Sequence, residues 1–198
     1  MNYYISDLHI GCVNSFDSRT LAHDEILVKN WNSVIHNDDK VYILGDIGRV
    51  GNNRDNEHLC SIISRLKGHK ILIRGNHDDL RDYRVKQLFE SIHDYLEITD
   101  NYNGLHHNLV LSHYPIFSWN GCYRGVILLY GHVHDNFDNE IYQNALDDLR
   151  TTVCALNQMA EKQGSTRLKK EPYAYNVGAM LKEVNYTPRT LKSILEEE

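Results

Sequence analysis

Apolar positions in this chain gather into short unbroken runs rather than alternating stripes. "YYI" (3–5), "VYIL" (41–44), "ILI" (71–73), "LVL" (109–111) and "VILLY" (126–130) are each bounded by polar residues. Runs this short, rich in Val, Ile and Tyr, predict strands buried on both faces. Between them the apolar spacing becomes helical. "DEILVKNWNSVI" (24–35) sets Leu27, Trp31, Val34 and Ile35 together, and "NEHLCSIISRLKG" (56–68) sets Leu59, Ile62, Ile63 and Leu66 on one face, with Gly68 as its C-terminal cap. "YRVKQLFESI" (83–92) predicts a third helix. Residues 138–163 predict a long one, with Ile141, Ala145, Leu149, Val153 and Leu156 along its packed face. "GSTRLKKEP" (164–172) reads as a loop, "YAYNVGAML" (173–181) as a strand and "TPRTLKSILEEE" (187–198) as a short helical tail. Strands "LHHNLVLSHYP" (105–115) and "RGVILLYGHVH" (124–134) complete the list. The order predicts an α/β fold with largely parallel pairing in its first half, and no repeat or linker divides the 198 residues, so a single domain is expected.

Charge and composition narrow the partners. A formal net charge of -6 gives no whole-surface attraction to nucleic acid or anionic membrane. No apolar stretch approaches the roughly 20 residues that span a bilayer, and "MNYYISDLHI" has no signal-peptide pattern. Cys12, Cys60, Cys122 and Cys154 lie far apart, which predicts reduced thiols and a cytoplasmic protein rather than a disulfide frame or zinc knuckle. Histidine is the departure. There are 12, and their positions carry the chemistry.

Each apolar run is followed at once by candidate ligands. "YYIS" leads to Asp7 and His9, "VYILG" to Asp46, "ILIRG" to Asn76, His77 and Asp78, "LVLS" to His113, and "VILLYG" to His132 and His134. Loops at the carboxyl ends of parallel strands form the usual ligand crevice of an α/β sheet, so these groups are expected to converge. Carboxylate, carboxamide and imidazole without cysteine suit divalent ions such as manganese, iron or zinc. Asp7, His9, Asp46, Asn76, His113, His132 and His134 are too many donors for one ion, which takes about four. Two ions sharing a carboxylate would use them all.

The series "DLH", "GDIG", "GNHD", "SHYP" and "GHVH", in that order, resembles the calcineurin-like metallophosphoesterases, in their small single-domain prokaryotic or phage form. "NVGAML" resembles the last core strand of that family. The resemblance implies a four-layer α/β/β/α sandwich of mixed sheets flanked by helices. It implies that Asp7, His9 and His134 bind one ion, that Asn76, His113 and His132 bind a second, and that Asp46 bridges them. His77 would touch the leaving group or a phosphate oxygen, and Asp78 would orient it. The implied reaction is hydrolysis of phosphomonoesters or phosphodiesters, without a covalent intermediate, by a hydroxide bridging two divalent ions. Manganese is the first choice of ion, with iron, zinc or nickel as substitutes. The expected substrate is a small, nucleotide-like phosphate ester; long duplex nucleic acid and membrane are not expected, and an oligomer is compatible.

Two other functions are compatible with this fold. Some relatives of this fold, a retromer subunit among them, act as scaffolds through a damaged metal site, and the intact donor set here argues against that. A nuclease acting on short nucleic acids is the other. The chain departs from compact family members in a helical insertion at about 137–170, read as a helix beside the mouth of the site. Arg49, Arg74, Arg81 and Arg124 are candidate phosphate contacts, Cys12 a packed thiol, and the remaining histidines surface or supporting residues.

Overall fold

The structure, a computed structural model, describes residues 1–12, 22–49 and 51–196. Two four-stranded sheets stack face to face. The first contains β1 (Asn2–Ile5), β2 (Lys40–Ile43), β3 (His69–Ile73) and β4 (Ser91–His93) in that order, all parallel. The second contains β5 (Leu96–Tyr102), β6 (Leu105–Leu111), β7 (Ile127–Tyr130) and β8 (Ala174–Asn176). Only β5 and β6 pair antiparallel, so this sheet is mixed.

The unbroken apolar runs have a direct cause. Neighbouring side chains along a strand point to opposite faces, and here both faces are covered. Val41 and Ile43 pack outward against α1 (Ala22–Val34) and α2 (Asn53–Ile63), through Leu27, Trp31, Leu59 and Ile63. Tyr42 and Leu44 point inward, where they meet Leu109, Leu111, Ile127 and Leu129 of the second sheet. Val110, Leu128 and Tyr130 face outward again, against Leu146 of α4 (Phe137–Lys162). Helix, sheet, sheet, helix is the layer order, as the resemblance implied. Each fully buried aliphatic side chain contributes roughly 1.5–3 kcal/mol, so the strand ends are firmly held platforms for the loops that follow.

Several local expectations are corrected. The second helix ends at Ile63, capped by Ser64, and Gly68 instead makes the turn into β3 with φ 85°. Of the predicted helix 83–92 only one turn forms, α3 (Tyr83–Lys86), because Ser91, Ile92 and His93 pair with the open edge of β3. The strand β5 went unread, although "YNGL" carries the signal. Asn103 and Gly104 both take positive φ, which a two-residue hairpin turn requires. The closing strand is shorter than 173–181, ending at Asn176, and the tail forms α5 (Leu191–Leu195) with Leu191 and Ile194 buried between the sheets. Glu197 and Glu198 of that tail lie outside the described residues.

The helix α4 forms over nearly its predicted span, but with a different packed face. Leu146 and Val153 are buried, whereas Ile141 and Leu156 are exposed. It is the outer helical layer on the second sheet, and Tyr142 donates to the carbonyl of Ile116 across that contact. Among the described residues, no helix is long and apolar enough to cross a membrane.

Candidate metal centre

The loops after β1, β2, β3, β6 and β7 meet at one end of the sandwich. Backbone hydrogen bonds join them: Asp7 donates to Gly45, His9 to Asp46, and Gly131 to His113. Across the sheets, the amide of His132 donates to both oxygens of Asp7 at 3.2 and 3.0 Å. The Nδ1 atom of His113 lies 2.8 Å from the carbonyl oxygen of Leu44.

The donors fall into two groups. Asp7, His9 and His134 offer ligand atoms within 4.8 Å of one another, and so do Asp46, His113 and His132. In the first group the Nε2 atoms of His9 and His134 are 3.1 Å apart, and they lie 3.9 and 3.6 Å from Asp7 Oδ1. In the second, His113 Nε2 lies 3.6 Å from Asp46 Oδ1 and 2.8 Å from Asn76 Oδ1. His132 and His134 thus serve different groups despite having only Val133 between them.

The donor chemistry fits a divalent cation. With Nδ1 facing the Leu44 carbonyl, His113 presents Nε2 beside the Asn76 carboxamide oxygen, so a nitrogen and an oxygen donor face one point, as a divalent ion would use them. Burial pushes the Asp7 carboxyl up. The nearby charge of Asp46 adds to this, while the Ser6 hydroxyl, at 2.6 Å, and His134 pull it down. Burial, and then the proximity of His113, lower His132. Two buried carboxylates, Asp7 and Asp46, packed beside these imidazoles form a pocket that positive charge would relieve.

Backbone conformation sets this geometry. Asp7, His9, Asp46, His132 and His134 all have positive φ, five of the eight such non-glycine residues among those described. Each costs of order 1–3 kcal/mol and persists only where the surroundings over-determine it. Close approach adds a second constraint. A Cβ on Gly131 would sit 2.4 Å from Ser6 Oγ and 2.5 Å from Asp7 Oδ2, and one on Gly75 would sit 2.3 Å from Asp46 Oδ1. The glycine of "YGHVH" is therefore required by contact with the Asp7 carboxylate, and not by a positive φ of its own.

His77 stands at the mouth, exposed. Its amide donates to Asp46 Oδ1 at 3.0 Å, and its ring centroid lies 6.3 Å from that of His9. No hydrogen bond joins the Asp78 carboxylate to the His77 ring among the described residues. The Asp78 carboxylate instead accepts three backbone N–H groups, from Gly75 at 2.7 Å, Asp46 at 3.0 Å and Ile47 at 2.8 Å. Burial pushes this carboxyl up, against those hydrogen bonds. The candidate arginines are tied elsewhere: Arg49 to Asp55, Arg74 to Asp94, Arg81 to Asp79 and Arg124 to Asn120. Sequence reasoning missed Ser6, Asn176, which donates to the His134 carbonyl at 3.2 Å, and Tyr114, whose ring lies 4.7 Å from that of His132. Ser6 and Tyr114 sit directly beside motif residues, which was the available signal.

Residues 3–176 match the family described as calcineurin-like phosphoesterase. The chain belongs to the calcineurin-like phosphoesterases. This is a metal-dependent family that acts on phosphate esters, and the two donor groups lie within the matched span. The Gene 66 protein of Mycobacterium phage D29 is 33% identical, over 67% of this chain and 77% of that relative. An uncharacterized protein of Methanocaldococcus jannaschii is 31% identical, over 70% of this chain and 72% of its own length. Among solved structures, a protein of unknown function from Aquifex aeolicus aligns over 99% of this phosphoesterase and 98% of its own chain, with a TM-score of 0.64 at 22% identity. That last likeness speaks to fold alone.

Proposed function

We propose that this calcineurin-like phosphoesterase hydrolyses small phosphomonoesters or phosphodiesters at a pair of divalent ions. Asp7, His9 and His134 would hold one ion, Asn76, His113 and His132 the other, with Asp46 shared. The observation that carries the reading is the division of the donors into two compact groups of three. Ions bound there supply an activated water and positive charge for the phosphate oxygens. Manganese suits the mixed oxygen and nitrogen donors, and four free cysteines agree with a cytoplasmic setting.

The chain's own residues do the rest. Leu44 accepts the Nδ1 proton of His113 and so holds Nε2 ready as a ligand. Ser6 and the His132 amide keep the Asp7 carboxylate aimed inward. His77 presents an imidazole that makes no hydrogen bond through its ring among the described residues, so an imidazole N–H is free to give a proton to the departing ester oxygen. General acid catalysis of that kind contributes about 10²–10⁴-fold. The acidic surface favours small anions drawn to a locally positive centre over long duplex nucleic acid.

The test is reconstitution with manganese, metal counting by mass spectrometry, and turnover of 4-nitrophenyl phosphate, its bis-ester and a nucleotide panel. Two ions per chain with turnover are expected. Two bound ions with no ester cleaved would overturn the hydrolytic reading, and a single bound ion would overturn the shared-carboxylate centre.

A further inference from the structure

The mouth of the site is chemically lopsided. From the first sheet, the loop after β3 brings exposed polar groups, Asn76 and His77. From the second sheet, the loop after β6 brings Tyr114. Its ring stands at 61° to His132 with centroids 4.7 Å apart, and at 72° to His113 with centroids 5.0 Å apart. These steep contacts hold the ring in place against both imidazoles, yet Tyr114 is still 48% exposed. Its hydroxyl makes no hydrogen bond among the described residues. Phe117, on the same loop, and Phe137, beyond His134, are also exposed, at 56% and 72%.

An aromatic ring braced by two candidate ligands and open to solvent on its remaining surface is a ready stacking platform. We infer that Tyr114 is a specificity-determining residue, which stacks on a planar substituent that the phosphorus retains through the reaction. The placement follows from the lopsided mouth. His77, from the first sheet, serves the leaving oxygen under the function proposed above, and this inference rests on that reading. The substituent that stays behind then lies towards the second sheet, over Tyr114. A flat aryl or heterocyclic group gains from such a surface and a methyl group does not.

Two measurements test it on manganese-reconstituted protein. The first is calorimetric binding of phenylphosphonate against methylphosphonate, neither of which is turned over. The second is kcat/KM for bis(4-nitrophenyl) phosphate against methyl 4-nitrophenyl phosphate, which share a leaving group and differ in the retained one. The protein is expected to favour the aryl member of each pair about ten-fold, a typical effect of stacking on an aromatic side chain. Tyr114→Ala should erase that preference, with the kinetic change in KM, and Tyr114→Phe should restore it. Equal affinity of the unmodified protein for the two phosphonates overturns the inference. So does an equal loss for both members of each pair in Tyr114→Ala, which would mean the ring merely props up His132. Aryl-selective binding without any ester turnover would refute the hydrolytic reading and reduce Tyr114 to a binding contact, overturning its role in specificity. Turnover without aryl preference would overturn the Tyr114 assignment alone.

Discussion

Replacing Asp78 by asparagine separates two roles for the second carboxylate of "GNHD". In the structure Oδ2 accepts the amides of Gly75 and Asp46, and Oδ1 accepts that of Ile47. One side chain therefore joins the loop after β2 to the loop after β3, and with them Asp46 and Asn76. Asparagine can place its single oxygen where Oδ2 was and keep two of these bonds. Its NH2 then faces the Ile47 N–H, so one bond is lost and a buried donor is left without an acceptor. A hydrogen bond to a charged group contributes about 1.5–3 kcal/mol, and an orphaned buried donor costs about 1–3 kcal/mol. The two contributions overlap, which puts Asp78→Asn near 2–4 kcal/mol of lost stability. Against a typical total of 5–15 kcal/mol, a loss of roughly that size is easily read. Urea denaturation with a chelator present is the assay, since bound metal would add its own stabilisation. Asp78→Ala, which loses all three bonds, should be worse than Asp78→Asn. If Asp78→Asn stays within about 0.5 kcal/mol of the parent and only the pH profile of turnover moves, the carboxylate acts on His77 and the backbone-clamp reading is wrong.

Three further outcomes are expected. His77→Ala should retain its bound metal but lose about 10²–10⁴-fold in kcat on a poor leaving group; unchanged turnover of an alkyl ester would remove His77 from the reaction. Gly131→Ala should displace the Asp7 carboxylate and weaken metal binding by at least about ten-fold, read by competition with a chelating dye, and parental affinity would mean that Ser6 and Asp7 relax freely around the new methyl. Stability should also fall on the alkaline side. Burial raises Tyr4, and raises Tyr130 to about 12. Above pH 10 the unfolded chain therefore releases protons that the folded chain keeps, and stability present below about pH 10 is lost as pH rises through the folded value. Melting temperature against pH reads this, and a flat curve from 9 to 12 would contradict the burial argument.

The convergence of the candidate donors was more legible than the fold around them. Asp7, His9, Asp46, Asn76, His113, His132 and His134 could be picked out because each follows a run of residues that has no reason to be apolar unless it is a buried strand. Where two packed faces override local preference, legibility failed. Ser91–His93 belongs to a sequence with helical spacing, and only the vacant edge of β3 makes it a strand. The packed face of α4 differs because a 26-residue helix can bury several alternative stripes, and the cluster it joins, with Val110, Trp119 and Leu128, is built from other elements. Asp78 has the residue type of a proton-transfer partner. Its work as a clamp depends on three amides in two loops, which no pattern along the chain displays.

The positive φ angles at Asp7, His9, Asp46, His132 and His134 also limit which elements of donor chemistry this scaffold can host. Left-handed backbone is tolerated by asparagine, aspartate and histidine far better than by most other residues. Glutamate and cysteine are good ligands in general, but at these positions they would carry a conformational penalty before any metal arrived. The harder ligand set is thus imposed by the turns as much as by the ion. Cysteine placed at these five positions should fail first in folding, and swaps within the aspartate, asparagine and histidine alphabet are the changes these turns tolerate.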